Sequence, residues 1–457
     1  MSALDNLTES APALKRILGL WDLVFYGIVL IQPIAAVGLF GIAMQMSGGH
    51  MVDTLLIAML AMMVTAVSYG RMASVYPYAG SAYTYVSRGL NAHLGFLAGW
   101  AMILDYLVIP IVSTIYAALT LTRIVPFVPY FVWVLLLCLL ITGLNIRGIR
   151  TTAKSNIVLL FIMCAVIAVF MVLAVKYIWV NHGAAALISF KPFYDRATFH
   201  VGPVLTATSF AALTYIGFDG VTTLAEDVKN PRRNVLLATT LVCAITGTFS
   251  TIQIYLASLV WHKYSSFPNV ETAFLDVCRR AGGEWLFQAM AFTLFVACLG
   301  SALTGQVGSA RLLFGMGRDS VLPKRYFGSL DKRTNSPLFN TCFVGVITII
   351  GSLTLSYEHA AEVLNFGAFL AFMAVNAAVV RTFFFKQQSG QRSLMIDVIT
   401  PAIGFLFCLT IWASLPALAK WIGGGWLAAG LLYQAIRTRG FTCGPILLEF
   451  VEGPNTD

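Results

Sequence analysis

Charge is what this sequence has least of. Only 11% of its 457 residues are Asp, Glu, Lys or Arg, and 58% are hydrophobic, with a mean hydropathy of +0.82. A water-soluble domain carries about 25% charged residues, so an ordinary soluble protein is excluded. Chemistry-bearing motifs are missing too. The cysteines (Cys138, Cys164, Cys243, Cys278, Cys298, Cys342, Cys408 and Cys443) are scattered, mostly inside apolar runs, with no metal-type spacing. The six histidines sit near the ends of those runs and form no cluster. There is no zinc motif, phosphate-binding loop or nucleophile elbow, and no secretory disulfide framework. These absences argue against a metalloenzyme, an ATP-driven pump and a hydrolase. We expect no enzymatic activity and no cofactor.

Long apolar stretches are present throughout. A span needs about 20 apolar residues, and twelve runs qualify at roughly 21–46, 51–70, 94–121, 129–145, 155–180, 202–226, 235–261, 284–316, 339–357, 361–383, 396–414 and 424–436. The fold class expected is an all-α polytopic membrane protein with about twelve transmembrane helices in the lipid bilayer. The first run follows Lys15 and Arg16, contains Asp22 and lacks a small-residue cleavage site, so it reads as a span and not as a removable signal. With residues 1–20 placed in the cytoplasm, one side collects Arg147, Lys154, Arg232, Arg318, Lys324 and Arg325 among many others. The opposite side has fewer, such as Arg123, Lys191, Lys263, Arg279 and Arg280. This asymmetry obeys the positive-inside rule and accounts for most of the net charge of +9. No nucleic-acid partner is needed to explain it. The tail at 437–457 is expected in the cytoplasm as well.

One run is interrupted where it should be most regular. In Tyr215-Ile216-Gly217-Phe218-Asp219-Gly220, two glycines flank an acid near the middle of the sixth run. A mid-membrane carboxylate is costly and by default functional. Glycine lets the helix unwind, and unwound backbone survives at that depth only where it is buried in protein or lines a cavity. The first run carries its own break, Gln32-Pro33, because proline removes a donor and clashes with the preceding turn. Runs one and six each open a set of five. Interrupted helices at matching places in two halves point to the substrate site of a repeat-built transporter.

Further stretches make the chain recognisable: Gly80-Ser81-Ala82-Tyr83-Thr84-Tyr85 in a proline-punctuated aromatic segment read as an interfacial loop, His93-Leu94-Gly95-Phe96, Leu104-Asp105-Tyr106-Leu107, Glu226-Asp227-Val228-Lys229-Asn230-Pro231 and Asn365-Phe366-Gly367-Ala368. Together with the break in run six they resemble the amino acid/polyamine/organocation permease superfamily over nearly the whole chain, and within it the bacterial putrescine importers. The resemblance implies a transporter domain over 21–436. It would consist of a 5+5 inverted repeat (about 21–180 and about 202–383) and two extra C-terminal helices (about 396–436), working by alternating access in the cell inner membrane. It also implies a small-molecule substrate held between runs one and six.

Amino-acid carriers of this superfamily use a glycine-rich first break to cradle a carboxylate. Here that place reads Gln32-Pro33-Ile34-Ala35-Ala36, while Asp219 falls where polyamine-handling relatives carry an acid. An amine without a carboxylate suits both departures, and an amino acid stays open because Gln32 can donate hydrogen bonds. The candidate substrate-binding residues are Asp219, Gly217, Phe218, Tyr215, Gln32, Asp105 and Tyr106. Asp105 is the preferred second anchor for a diamine, with Glu226 the other candidate. The aromatics would cover an ammonium by cation–π contact. For coupling, 157–164 lacks the lysine that replaces a bound cation in some superfamily importers. A proton carried by Asp105 or Glu226 is ranked first, exchange second, and sodium near Ser301 and Thr304 third. A ligand-binding membrane sensor is the competing reading outside transport.

Overall fold

A computed structural model describes residues 18–76, 81–147, 153–318, 322–331, 336–386 and 393–442, with backbone only at 153–156, 226 and 386. Among them nearly everything is helix and no strand forms, apart from a bridge between Leu18 and Val228. Such a sequence has little choice, since in lipid each backbone N–H and C=O must be satisfied within its own segment.

The first half of the chain comprises α1 (Leu20–Ile31), α2 (Ala35–Met46), α3 (Met51–Val75), α4 (Ser81–Gly89), α5 (Ala92–Ile124), α6 (Tyr130–Ile146) and α7 (Ala153–His182). The rest comprises α8 (Val201–Ala211), α9 (Pro231–Val260), α10 (Ala273–Gly282), α11 (Glu284–Arg318), α12 (Lys324–Phe327), α13 (Leu338–Thr354), α14 (Tyr357–Val379), α15 (Thr400–Ala413) and α16 (Ala417–Arg437). Eight of the described helical segments are long and apolar enough to cross a membrane, and nine when α1 and α2 count as one bent span. The apolar helices α6 and α13 are shorter, at 17 residues each.

Contacts sort the connections into two ends. At the first, His50 meets Thr198, His182 meets His262, and Arg123 pairs with Asp276. At the second, the Leu18 amide donates to the Asp227 carbonyl at 3.0 Å, Arg381 donates to the Leu90 carbonyl, and Arg71 pairs with Asp397. We call these the His50 end and the Leu18 end.

Three local readings change. The aromatic segment read as an interfacial loop is, from Ser81 onward, the helix α4, with Tyr83 and Tyr85 buried in the bundle; residues 77–80 lie outside those described. Helix α14 starts at Tyr357 and not near 361, because Ser356 caps it by accepting a hydrogen bond from the His359 amide at 3.1 Å. Helix α16 starts at Ala417 and not at 424. Lys420, whose charge hid these first turns, reaches back and donates to the Ala413 carbonyl at 2.6 Å.

Candidate functional site

The first break follows its chemistry. Helix α1 stops at Ile31, Gln32 takes the left-handed φ of 62°, Pro33 supplies no donor, and α2 resumes at Ala35 with a bend of 48°. The Pro33 carbonyl, freed by the break, accepts from Gln253 Nε2 on α9 at 3.1 Å.

The second break is longer. Helix α8 gives way at Ala211 to 3-10 turns over Ala212–Tyr215 and Phe218–Asp227, with Gly217 between them at φ 117°. Only glycine adopts that backbone without strain. Gly220 has a different use. A Cβ there would lie 2.7 Å from Leu30 Cδ1, so its missing side chain lets α1 approach. The carbonyls left over at the end of α8 are also met: Asn365 Nδ2 on α14 donates to Ser209 O at 2.6 Å and to Phe210 O at 3.4 Å.

The two breaks face each other. A Cβ on Gly217 would lie 3.6 Å from the Leu30 carbonyl, in the last turn of α1. Beside this contact lies a cavity of about 340 Å³, walled by the two breaks, α5, α11 and Leu364 of α14. Gln32, Asp105, Tyr106, Gly217 and Asp219 all line it. Asp105 is buried on α5, with Oδ1 lacking a partner. Asp219 lies at the start of the Phe218–Asp227 turn, between Gly217 and Gly220 in the cavity wall. Gln32 Nε2 reaches the Ala297 carbonyl of α11 at 3.4 Å. The lining contains two carboxyl groups and no lysine or arginine.

Tyr215 and Phe218 are not in this wall. Tyr215 is fully buried, and its hydroxyl donates to the Leu55 carbonyl of α3 at 2.9 Å. The Phe218 ring packs edge-on against Tyr69 and tilted against Phe372, with centroids 5.4 and 5.2 Å apart. Both flank the break in sequence, yet the turns on either side of Gly217 rotate them away from the cavity. They act as its backing. The side chain of Glu226 lies outside the described residues.

Ser113 was missed. Its hydroxyl donates to Ser301 Oγ on α11 at 3.0 Å, and both serines line the cavity together with Thr304. The signal was present in the helical period: Met102, Asp105, Tyr106, Ile109, Val112 and Ser113 recur at the spacing of one α5 face, and all six line the wall.

The family model for amino acid permeases matches residues 22–422. The chain belongs to the amino acid permease family. Members of this family are transporters and not enzymes, and the permease is accordingly a multi-pass membrane transporter. It is similar to the low-affinity putrescine importer PlaP of Escherichia coli K12, with 30% identity covering 94% of this chain and 96% of the relative. The branched-chain amino acid permease BcaP of Bacillus subtilis is 25% identical, covering 91% of the permease and 92% of itself. Among solved structures, a mutant of the manganese transporter of Eremococcus coleocola superposes with a TM-score of 0.53 at 13% identity, covering 93% of this chain and 97% of its own, a likeness of fold alone.

Proposed function

We propose that the permease imports a small organic diamine, putrescine or a close relative, by proton symport with alternating access. The observation that carries this reading is the cavity between the breaks, lined by Asp105 and Asp219 and by no cationic side chain. Two carboxylates in a confined space suit a dication, since each ammonium neutralises one charge that would otherwise be buried alone. Asp219 holds one ammonium beside the unwound backbone and Asp105 the other, with Tyr106 against the carbon chain. At the first break Pro33 offers no N–H, and the Gln32 and Ala35 amides are bonded to the Ile28 and Gln32 carbonyls, which disfavours a carboxylate there. The similarity to a putrescine importer agrees with this chemistry.

In this reading the helices form a 5+5 inverted repeat over about 21–180 and 202–383, with two extra helices over 396–436. The count of twelve spans includes α6, α13 and α16. The Leu18 end, with both termini, faces the cytoplasm of an inner membrane, and the His50 end faces out. Basic residues such as Arg232, Arg233, Lys324 and Arg325 gather toward the Leu18 end.

The test is uptake of labelled putrescine into proteoliposomes under an inward proton gradient and then under a sodium gradient. Uptake that follows the proton gradient and is competed by spermidine more than by leucine supports the proposal. Uptake that ignores a proton ionophore and follows sodium refutes the coupling. A second reading, an amino-acid carrier, is favoured by the place of Gln32 in the cavity wall and by the similarity to BcaP. Competition by leucine or lysine in place of amines would select it.

A further inference from the structure

Helix α5 carries a proline in its interior, Pro110, between the cavity-lining residues Ile109 and Val112. In an α-helix each amide serves the carbonyl four residues before it, so the carbonyl that Pro110 leaves without its helical donor is that of Tyr106. Tyr106 and its neighbour Asp105 both line the cavity. The defect therefore falls on the turn that carries the proposed second anchor.

A group on α11 meets it. The Ser309 hydroxyl donates to the Tyr106 carbonyl at 2.6 Å, and Ser309 is 1% exposed. A carbonyl freed by proline inside a membrane has no bulk water to turn to, and a hydroxyl from a neighbouring helix is one of the few substitutes. The same hydroxyl is 2.8 Å from the Gly305 carbonyl of its own helix. That oxygen is served in the helical pattern by the Ser309 amide, so the single hydroxyl hydrogen does more at Tyr106.

The contacts around this bond share one antiparallel register along the cavity wall. A Cβ on Gly308 would lie 3.3 Å from the Tyr106 ring, and one on Gly305 would lie 2.6 Å from Ile109 Cγ2 and 3.2 Å from Pro110 Cδ. Further along, Ser301 meets Ser113 at 3.0 Å. A side chain at Gly305 would hold α11 off the proline and take Ser309 out of reach of the carbonyl. Ser309 itself does not line the cavity, so it acts on a substrate only through α5.

We propose that Ser309 is a positioning residue for substrate binding. By standing in for the amide that Pro110 lacks, it holds the Asp105–Tyr106 turn of α5 against α11 and fixes where this carboxylate and this ring enter the cavity. Without the hydroxyl, the Tyr106 carbonyl is left to seek water from the cavity, and the turn twists with it. The probe chosen below rests on the diamine reading above; the positioning role holds for any substrate that touches Asp105 or Tyr106.

The test is equilibrium binding of labelled putrescine to the purified full-length permease as wild type, Ser309→Ala, Pro110→Ala and the double variant, with binding capacity and thermal stability recorded for each. Ser309→Ala should bind about five- to tenfold more weakly, as expected for the loss of one buried hydrogen bond, at unchanged capacity. Pro110→Ala returns an amide to the Tyr106 carbonyl, so adding Ser309→Ala to it should change affinity by less than about twofold. This rescue separates positioning from packing, because a serine needed only for folding would lower capacity or stability and leave the affinity of the folded fraction alone. Wild-type affinity in Ser309→Ala overturns the proposal, and so does an equal loss in both backgrounds. Should Ser309→Ala not fold, the double variant must restore both folding and affinity, or the proposal fails. A wild type that binds leucine and not putrescine refutes the diamine reading alone, and the same variants are then compared with labelled leucine.

Discussion

Gly367 on α14 touches the backbone of Ala101 on α5: a Cβ at Gly367 would lie 2.5 Å from the Ala101 carbonyl oxygen and 3.7 Å from the Asp105 amide. The two helices meet main chain to main chain at the turn that carries Asp105, so the packing of one glycine sets the depth at which this carboxylate enters the cavity. Gly367→Ala must push α5 away. We expect a stability loss of about 1–3 kcal/mol from overpacking, together with weakened substrate binding. Thermal unfolding and equilibrium binding on the same sample check it. Unchanged affinity in a destabilised protein would separate Gly367 from the site.

Asp219→Asn keeps the shape of the side chain and removes its charge. The loss should be on the order of 2–5 kcal/mol in binding, or about 30- to several-thousand-fold in affinity, with thermal stability retained. Asp219→Glu should keep partial function shifted toward shorter amines, because the longer side chain takes up room. Equilibrium binding of putrescine to the purified variants measures both. Wild-type affinity in stably folded Asp219→Asn would move the anchor to Asp105.

Tyr215→Phe tests the distinction between wall and backing. Deleting the hydroxyl removes one of the hydrogen bonds that the Leu55 carbonyl accepts, which should cost about 1 kcal/mol of stability. Affinity should not change, because the ring does not line the cavity. A selective loss of binding in isothermal titration would return Tyr215 to the site.

Arg71 and Asp397 fasten α3 to the π-helical turn Met395–Ile399 at the Leu18 end, and the guanidinium also lies over the Phe383 ring at 4.1 Å. Asp397 is 2% exposed, so Arg71→Met strands a buried charge at a cost of about 3–5 kcal/mol. Replacing both residues by leucine should recover most of that stability. A double variant as unstable as the single one in thermal unfolding would show that the pair matters through the ring contact.

Acid should loosen the His50 end. His50 is buried at the start of α3, its Nε2 within 3.0 Å of Thr198 Oγ1 and its Nδ1 without a partner. Burial pushes its pKa below the ordinary value of 6.5, outweighing the opposing pull of Asp195 and the carbonyls of Pro192 and Phe193. In the unfolded chain this imidazole takes its proton first, so stability falls as pH drops from 6.5 through the lower folded value. Melting temperatures measured from neutral pH downward should decline in wild type and decline less in His50→Gln. Parallel curves would acquit His50.

The sequence by itself determined the membrane class, the helical class and both breaks. Each of these follows from local chemistry: apolar length, the missing proline donor at Pro33, and the permissive backbone of Gly217. It also marked Asp105 and Asp219, because an acid inside an apolar run stands out without any knowledge of its neighbours. What only the tertiary structure decided was which groups share a space. Asp105 and Asp219 belong to separate spans, and only the packing of α5 against the broken helices brings both to one cavity. Tyr215 and Phe218 sit in sequence beside the break and in space behind it, since rotation about Gly217 depends on the helices that surround it.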